Sequence, residues 1–228
     1  MDRVIFEINR CNQRSERMLS VIDLLNAGTC SADMAAYIAE GVFSGASLLV
    51  GAKPSGGGKT TVMAAFLGFV PADTAIKPVE NVKVIEDLSE TSHNICFLSH
   101  EIGSGHFYAY VWGEDARLFF SRAGSCRIAS NLHADTLEQA EDIILVQNRV
   151  KKEDLARIRF LIFLEQGRNG NKKFSHVYES GEKGHSELSE PLSLNKRQQE
   201  FKEFLLDTQK KGVYLIEEVR SEFIKIRG

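Results

Sequence analysis

The run Ser47-Leu48-Leu49-Val50-Gly51-Ala52-Lys53-Pro54-Ser55-Gly56-Gly57-Gly58-Lys59-Thr60-Thr61 places an apolar segment, a glycine-rich loop and a helix-forming segment in direct succession. Few folds accommodate all three. A strand that passes through a glycine-rich turn into a helix points consecutive backbone N–H groups into the turn, with the positive end of the helix dipole behind them. That is what a bound phosphate chain requires. Pro54, Ser55, Gly56, Gly57, Gly58, Lys59, Thr60 and Thr61 are therefore the candidate nucleotide-binding residues. Lys59 is expected to reach the β- and γ-phosphates of ATP, and the Thr60 hydroxyl to ligate Mg²⁺. A flexible turn ahead of a core helix explains the glycines, but not Gly-Lys-Thr after a hydrophobic strand. Against the pattern G-x-x-x-x-G-K-[ST], Lys53 stands at the first glycine, where its side chain can constrain the loop's entry and bring another cation near phosphate.

With 228 residues the chain is long enough for one large α/β domain with a small appendage and a sizeable core. No apolar run approaches the roughly 18–20 residues needed to span a bilayer. The segment Met1-Asp2-Arg3-Val4-Ile5-Phe6-Glu7 lacks the charged-then-apolar layout of a signal peptide, so the expected location is cytoplasmic. Cys11, Cys30, Cys96 and Cys126 are scattered, as reduced, partly buried thiols would be. The spacing His93-x-x-Cys96-x-x-x-His100, with His106 nearby, admits a zinc site. Structural zinc, however, favours paired short spacings, and the apolar run Ile95 to Leu98 points to a strand with Cys96 inside.

The net charge is −3 from 28 basic and 31 acidic residues, which argues against nucleic acid as a partner. Residues 1–150 carry a net of −6 and the remainder a net of +3, and the basic C-terminal charges interleave with acids as on a solvated mixed surface.

Along the chain, the segment up to Ala27 reads as helical and stops at Gly28, and Ser31 caps a second helix from Ala32 to about Phe43. A strand at 46–50, the glycine-rich loop and a helix from Lys59 to about Gly68 follow. Apolar runs predict strands at Val82–Ile85, Ile95–Leu98, Phe107–Trp112, Cys126–Leu132 and Arg157–Glu165, with helices at Asp115–Ala123 and Leu137–Gln147. Gly167 to Asn171 signals a hairpin into Lys172–Tyr178, Gly181 to Pro191 a polar loop, and the last third two amphipathic helices split at Lys211-Gly212. Alternating strands and helices mean a largely parallel α/β sheet.

Acids that could hold Mg²⁺ or activate water follow several of these strands: Glu86 and Asp87 after one, Glu114 after another. His133 ends the strand Arg127–Leu132 beside Asn131, with Asp135 and Thr136 opening the next helix, where an imidazole could sense a γ-phosphate.

In order, Ile85-Glu86-Asp87, Gly113-Glu114 and Asn131-Leu132-His133-Ala134-Asp135-Thr136 resemble the acidic box, the Walker B glutamate and the histidine box of the type II/IV secretion ATPases, the RecA-like motors of pilus assembly, pilus retraction and archaeal secretion. Ile22-Asp23-Leu24-Leu25 and Ala46-Ser47-Leu48-Leu49-Val50-Gly51 are also similar to that family's approach to its loop. The resemblance covers roughly residues 20 to 180. It implies a RecA-like core with a mostly parallel sheet flanked by helices, plus a β-hairpin and two C-terminal helices. The corresponding divisions are a helical lead-in at 1–45, a nucleotide-binding core at 46–190 and a helical appendage at 191–228.

The resemblance further implies that Lys59 and Thr60 bind phosphate and Mg²⁺, that Glu86 orders the metal's water shell with Asp87 beside it, that Glu114 positions the attacking water, and that His133 contacts the γ-phosphate. Asn131 stands where a threonine is usual. Arg117, Arg122 and Arg127 are the candidates for a catalytic arginine, and the family's separate N-terminal domain has no room within these 228 residues. The expected partners are nucleotide and either further copies of the chain or another ATPase or secretion component. The alternatives are a nucleotide-binding regulator that hydrolyses poorly and a nucleic-acid-associated RecA-like ATPase.

Overall fold

The computed structural model describes residues 2–10, 17–53, 58–86, 94–105, 107–167 and 170–227. Nine strands make one sheet among these residues: β1 (Leu48–Gly51), β2 (Ala75–Pro78), β3 (Ile95–Leu98), β4 (Glu101–Ile102), β5 (Tyr110–Val111), β6 (Arg127–Leu132), β7 (Phe160–Gln166), β8 (Lys172–Gly181) and β9 (Gly184–Glu187). Their order is β2-β3-β6-β1-β7-β8-β9, with β4 paired to β6 and β5 to β4. Pairings from β2 across to β7 are parallel, as are those of β4 and β5, whereas β8 and β9 add on antiparallel. This is the expected α/β architecture, a mostly parallel sheet flanked by helices, with the β7–β8 hairpin and two C-terminal helices attached.

Parallel strands buried on both faces read as unbroken apolar runs. Here alternate residues go to opposite layers. Leu48, Val50, Cys96, Leu98, Phe160 and Ile162 face one core cluster, covered by α1 (Arg3–Arg10), α2 (Val21–Asn26), α3 (Ala32–Phe43), α4 (Lys59–Leu67), α9 (Lys196–Lys210) and α10 (Ile216–Arg227). Leu49, Ile95, Phe97, Ile128, Leu161 and Phe163 face the other. That second layer holds α6 (Glu114–Ser121), α7 (Leu137–Glu141) with a π-helical continuation (Asp142–Gln147), and α8 (Lys152–Leu155).

Local chemistry sets the helix ends. Ser20 and Asp23 form a capping box on α2, and Asn195 and Gln198 form another on α9, each satisfying two N-terminal donors. Two arginines serve the opposite ends. Arg127, buried on β6, donates to Val42 O at 3.4 Å and Phe43 O at 3.3 Å, the last carbonyls of α3. Arg220 of α10 is 1% exposed and donates to Gly68 O at 2.9 Å and Val70 O at 2.7 Å beyond the end of α4, while Asp2 Oδ2 accepts from its Nε at 2.6 Å. Phe69 and Phe223, with ring centroids 5.0 Å apart, pack beside this clasp.

Several local expectations change. Val82–Ile85 is not a strand: Lys83–Glu86 is a one-turn helix, α5, whose start is held by Asn81 Oδ1 accepting from Lys83 N at 3.1 Å. The sheet position beside β3 is filled instead by Ala75–Pro78, a strand the sequence reading passed over. The expected strand Phe107–Trp112 shortens to Tyr110–Val111, and Gly181–Pro191 contains β9. Leu137–Gln147 is helical but widens to π geometry halfway, ending at Asn148, whose Nδ2 donates to Ile143 O at 2.8 Å. Cys96 lies buried in β3, and burial pushes the Cys30 thiol up to about 12; Cys11, Arg168 and Asn169 lie outside the described residues.

Replacing Arg220 with Met should cost roughly 2–4 kcal/mol of unfolding free energy, because it strands two buried carbonyls and removes the partner of Asp2; urea titration of both proteins checks this. A second expectation concerns pH. His185 on β9 is half-buried and its Nε2 lies 2.7 Å from Ile158 O; burial lowers its pKa, against a smaller opposing effect of that hydrogen bond. The unfolded chain then binds the extra proton more readily, so stability is fully present above pH of about 6.5 and declines as pH falls below it. His185→Gln should flatten that acid-side decline in urea midpoints measured between pH 7.5 and 5.

Candidate functional site

The C-terminal ends of β1, β4 and β6 converge beside the N-terminus of α4. Gly58 caps that helix with φ +85°, a left-handed conformation in which a Cβ is strained, and the helix begins at Lys59. Pro54, Ser55, Gly56 and Gly57 lie outside the described residues. Lys59 is 7% exposed. Its Nζ lies 3.4 Å from Ala52 O, 3.2 Å from His133 Nδ1 and 3.6 Å from Glu101 Oε1. Burial lowers the pKa of this ammonium, and the nearby charge of Glu101 opposes the shift.

Glu101 reaches this position through a bulge. Leu98 on β3 pairs with Ala129, and Ile102 on β4 pairs with Leu132, so four steps on one strand face three on β6. The extra residue inverts the alternation. Leu98 faces one core layer, whereas Ile102 faces the other. Bulges re-aim side chains in this way beside functional sites. The irregular backbone is tied down locally: His100 N donates to Ala109 O at 2.7 Å, and Ser99 Oγ lies 3.1 Å from Glu101 O and 3.0 Å from Ala109 O. Ala109 itself has φ +54°.

The Glu101 carboxylate is 6% exposed. His133 Nε2 lies 2.8 Å from Oε1, and the Tyr110 hydroxyl donates to Oε2 at 3.3 Å. Burial, with the charge of Glu101, raises the Tyr110 pKa and keeps the phenol protonated as a donor. Lys59 Nζ stands beyond hydrogen-bonding distance of Oε1, and among the described residues this buried oxygen has no hydrogen-bond partner. Asn131, 1% exposed, has Nδ2 3.2 Å from Thr60 Oγ1 and 2.9 Å from His100 O, while its Oδ1 is likewise buried without a partner.

These parts suit a phosphate chain with its metal. A buried ammonium and a helix N-terminus supply positive charge, a threonine hydroxyl is a hard oxygen ligand, and two buried oxygens await donors or ordered water. Thr60 is the residue here that could hold Mg²⁺. A cleft of about 720 Å³ opens beyond Glu101 and His133, walled by Tyr110, Trp112, Glu138 and Asp142 among others. β1 and the segment after β6 meet directly: a Cβ on Gly51 would stand 2.5 Å from Ala134 O and 2.7 Å from the Phe163 ring.

Of the residues singled out from sequence, Lys59, Thr60 and His133 come together at this point. Thr61 follows on α4, half-buried. Glu114 does not join them: it is the first residue of α6, exposed, and its side chain has no hydrogen bond or ion pair among the described residues. Glu86 ends α5, also exposed and without contact to Lys59 or Thr60 among the described residues, and Asp87 lies outside them. Lys53 turns away to α7, with Nζ 2.7 Å from Gln139 Oε1, while its backbone N donates to Asp135 Oδ1 at 2.5 Å. Arg117, Arg122 and Arg127 each donate to carbonyls of their own chain, at Asn148, Ile85 and α3 respectively. No three His, Cys, Asp or Glu side chains converge on a metal position among the described residues, and His93 and His106 lie outside them. Glu101 and the amide of Asn131 were missed. The available signal was an acid three positions beyond the apolar run Ile95–Leu98, the same rule that drew attention to Glu86 and Glu114.

No protein-family model matches the chain, and no curated protein does. Among solved structures it is similar to the VirB11 ATPase from the Brucella suis type IV secretion system, determined in complex with sulphate, with a TM-score of 0.48 and 16% identity over 70% of this chain and 54% of that one. The chain thus spans about half the length of that ATPase. Among the described residues no helix is long and apolar enough to cross a membrane.

The geometry makes Lys59 and Glu101 an energetic pair and leaves Glu114 independent. A double-mutant cycle on unfolding free energy with Lys59→Met and Glu101→Gln should give a coupling of about 0.5–3 kcal/mol, whereas Lys59→Met with Glu114→Gln should be additive within about 0.5 kcal/mol. Equal coupling in both cycles would contradict the pairing.

Proposed function

We propose that the chain binds ATP with Mg²⁺ at the loop Pro54–Thr61 and hydrolyses it, in the manner of a RecA-like secretion-type motor domain. The observation that carries this reading is the convergence of buried Lys59 and Glu101 with the exposed ring of His133 at the N-terminus of α4, beside a threonine hydroxyl. Hydrolysis joins a water oxygen to the γ-phosphorus and breaks the bond to the β–γ bridging oxygen. Little covalent chemistry falls to the protein, so its residues act by position and charge. Lys59 exchanges its contacts with Ala52 O and Glu101 for phosphate oxygens. Glu101, released from the ammonium, orients the attacking water and holds its proton. His133, which approaches the same carboxylate oxygen beside Lys59, offers a ring N–H to the γ-phosphate and separates ATP from ADP. The Thr60 hydroxyl would hold Mg²⁺, and the metal would supply positive charge against the phosphate chain. The water-positioning role expected of Glu114 thus falls to Glu101. The working partners in this reading are further copies of the chain or another ATPase or secretion component.

A hydrolysis-poor regulator is the second reading. It is favoured by the engagement of Arg117, Arg122 and Arg127 with their own backbone, which leaves none of them at the cleft. A steady-state phosphate-release assay on the purified chain separates the two.

Glu101→Gln should retain ATP and lose turnover by roughly 10²-fold or more, while Glu114→Gln should turn over at close to the parent rate. Lys59→Ala should lose binding of a fluorescent nucleotide altogether. Normal turnover in Glu101→Gln, or undiminished binding in Lys59→Ala, would sink the assignment.

A further inference from the structure

Asn131 occupies the last stretch of β6, between β4 and β1, and is 1% exposed. Its Nδ2 spans two partners, His100 O at 2.9 Å and Thr60 Oγ1 at 3.2 Å. A carbonyl can only accept, so the nitrogen must face His100 and the orientation of the amide is fixed by the network. Both amide hydrogens are then used, one to hold the bulge that carries Glu101 and one to hold the hydroxyl that opens α4.

We infer that Asn131 is a positioning residue for the Thr60 hydroxyl, and through it for the Mg²⁺ that accompanies nucleotide; this rests on the nucleotide reading above. A threonine side chain has several χ1 states, and only some aim a lone pair at a given metal position. The Asn131 N–H occupies one lone pair of Oγ1 and leaves the other for the metal. The second half of the amide points to the same conclusion. Oδ1 is buried without a hydrogen-bond partner among the described residues, an arrangement that is unfavourable unless a donor is supplied. Waters in a magnesium hydration shell are such donors. Outer partners of this kind orient metal ligands and typically alter metal affinity by about 10–100-fold when removed. A purely structural role would involve the bond to His100 alone and would give Asn131 no influence on the metal.

The test is a titration of a fluorescent ADP analogue against the full chain, over a range of Mg²⁺ concentrations and in EDTA. In Asn131→Leu the Mg²⁺ concentration for half-maximal enhancement of binding should rise by about 10-fold or more, while affinity in EDTA stays within about twofold of the parent. Asn131→Val, a strand-compatible residue with no hydrogen-bonding group, should move the same way and carries the test if the leucine variant does not fold. A folded variant with an unchanged Mg²⁺ requirement overturns the inference. So does one whose affinity falls equally in Mg²⁺ and EDTA, which marks a structural role only. Parent protein that binds no nucleotide, or binds it equally well in EDTA, overturns the nucleotide reading itself. That result is distinct from a Mg²⁺-dependent parent with insensitive variants, which overturns the Asn131 assignment alone.

Discussion

A carboxylate that is 6% exposed needs compensation, because removing its charge from water costs several kcal/mol. Glu101 finds it in the Lys59 ammonium at 3.6 Å, the His133 ring at 2.8 Å and the Tyr110 hydroxyl at 3.3 Å. The three come from different elements: the first residue of α4, the residue after β6, and β5. Satisfying one buried charge therefore ties together the helix start, the sheet and the short strand pair beyond it.

The arrangement depends on β6 lying between the strand that leads to the glycine-rich loop and the strand that leads to Glu101. A single intervening strand leaves room between the ammonium of α4 and the carboxylate, and it brings His133 and Asn131 to the gap. The apolar layers above and below hold these strand ends rigidly. Guanidinium groups complete the frame, Arg127 and Arg220 taking carbonyls that helix ends leave unpaired. Both are long, charged side chains used as internal connectors, whereas the buried Lys59, Glu101 and Asn131 gather at the C-terminal ends of central strands.

The sheet was largely legible from the sequence, since buried parallel strands announce themselves as apolar runs and the glycine-rich loop fixes where β1 ends and α4 begins. Val82–Ile85 misled because β-branched residues suit a strand only if a sheet position is open, and Ala75–Pro78 fills the one beside β3. The site was legible where chemistry is local. Lys59, Thr60 and His133 are marked by their immediate neighbours in sequence. Glu101 was hidden because period-two reading breaks at a bulge, so a residue beyond Leu98 cannot be assigned a face without the partner strand. Glu114 looked equivalent because it also follows a glycine after an apolar stretch, yet the chain turns there into α6 and carries it to the surface. Asn131 read as a departure from a family pattern. Its amide acquires meaning only once Thr60 and His100, distant in sequence, are placed on either side.

Where β1 ends, Gly51 and the carbonyl of Ala134 approach so closely that a methyl group would not fit between them. Contact of backbone against backbone leaves no side chain to swing aside and take up slack. The end of β1 and the turn that bears His133 therefore behave like two meshed gear teeth. A push on Gly51 along the strand axis must displace the turn as well, and α7 with it, since Asp135 and Gln139 hold Lys53 on the other side. A displacement at the end of β1 would in this way reach the wall of the neighbouring cleft, where Lys53 and Gln139 lie.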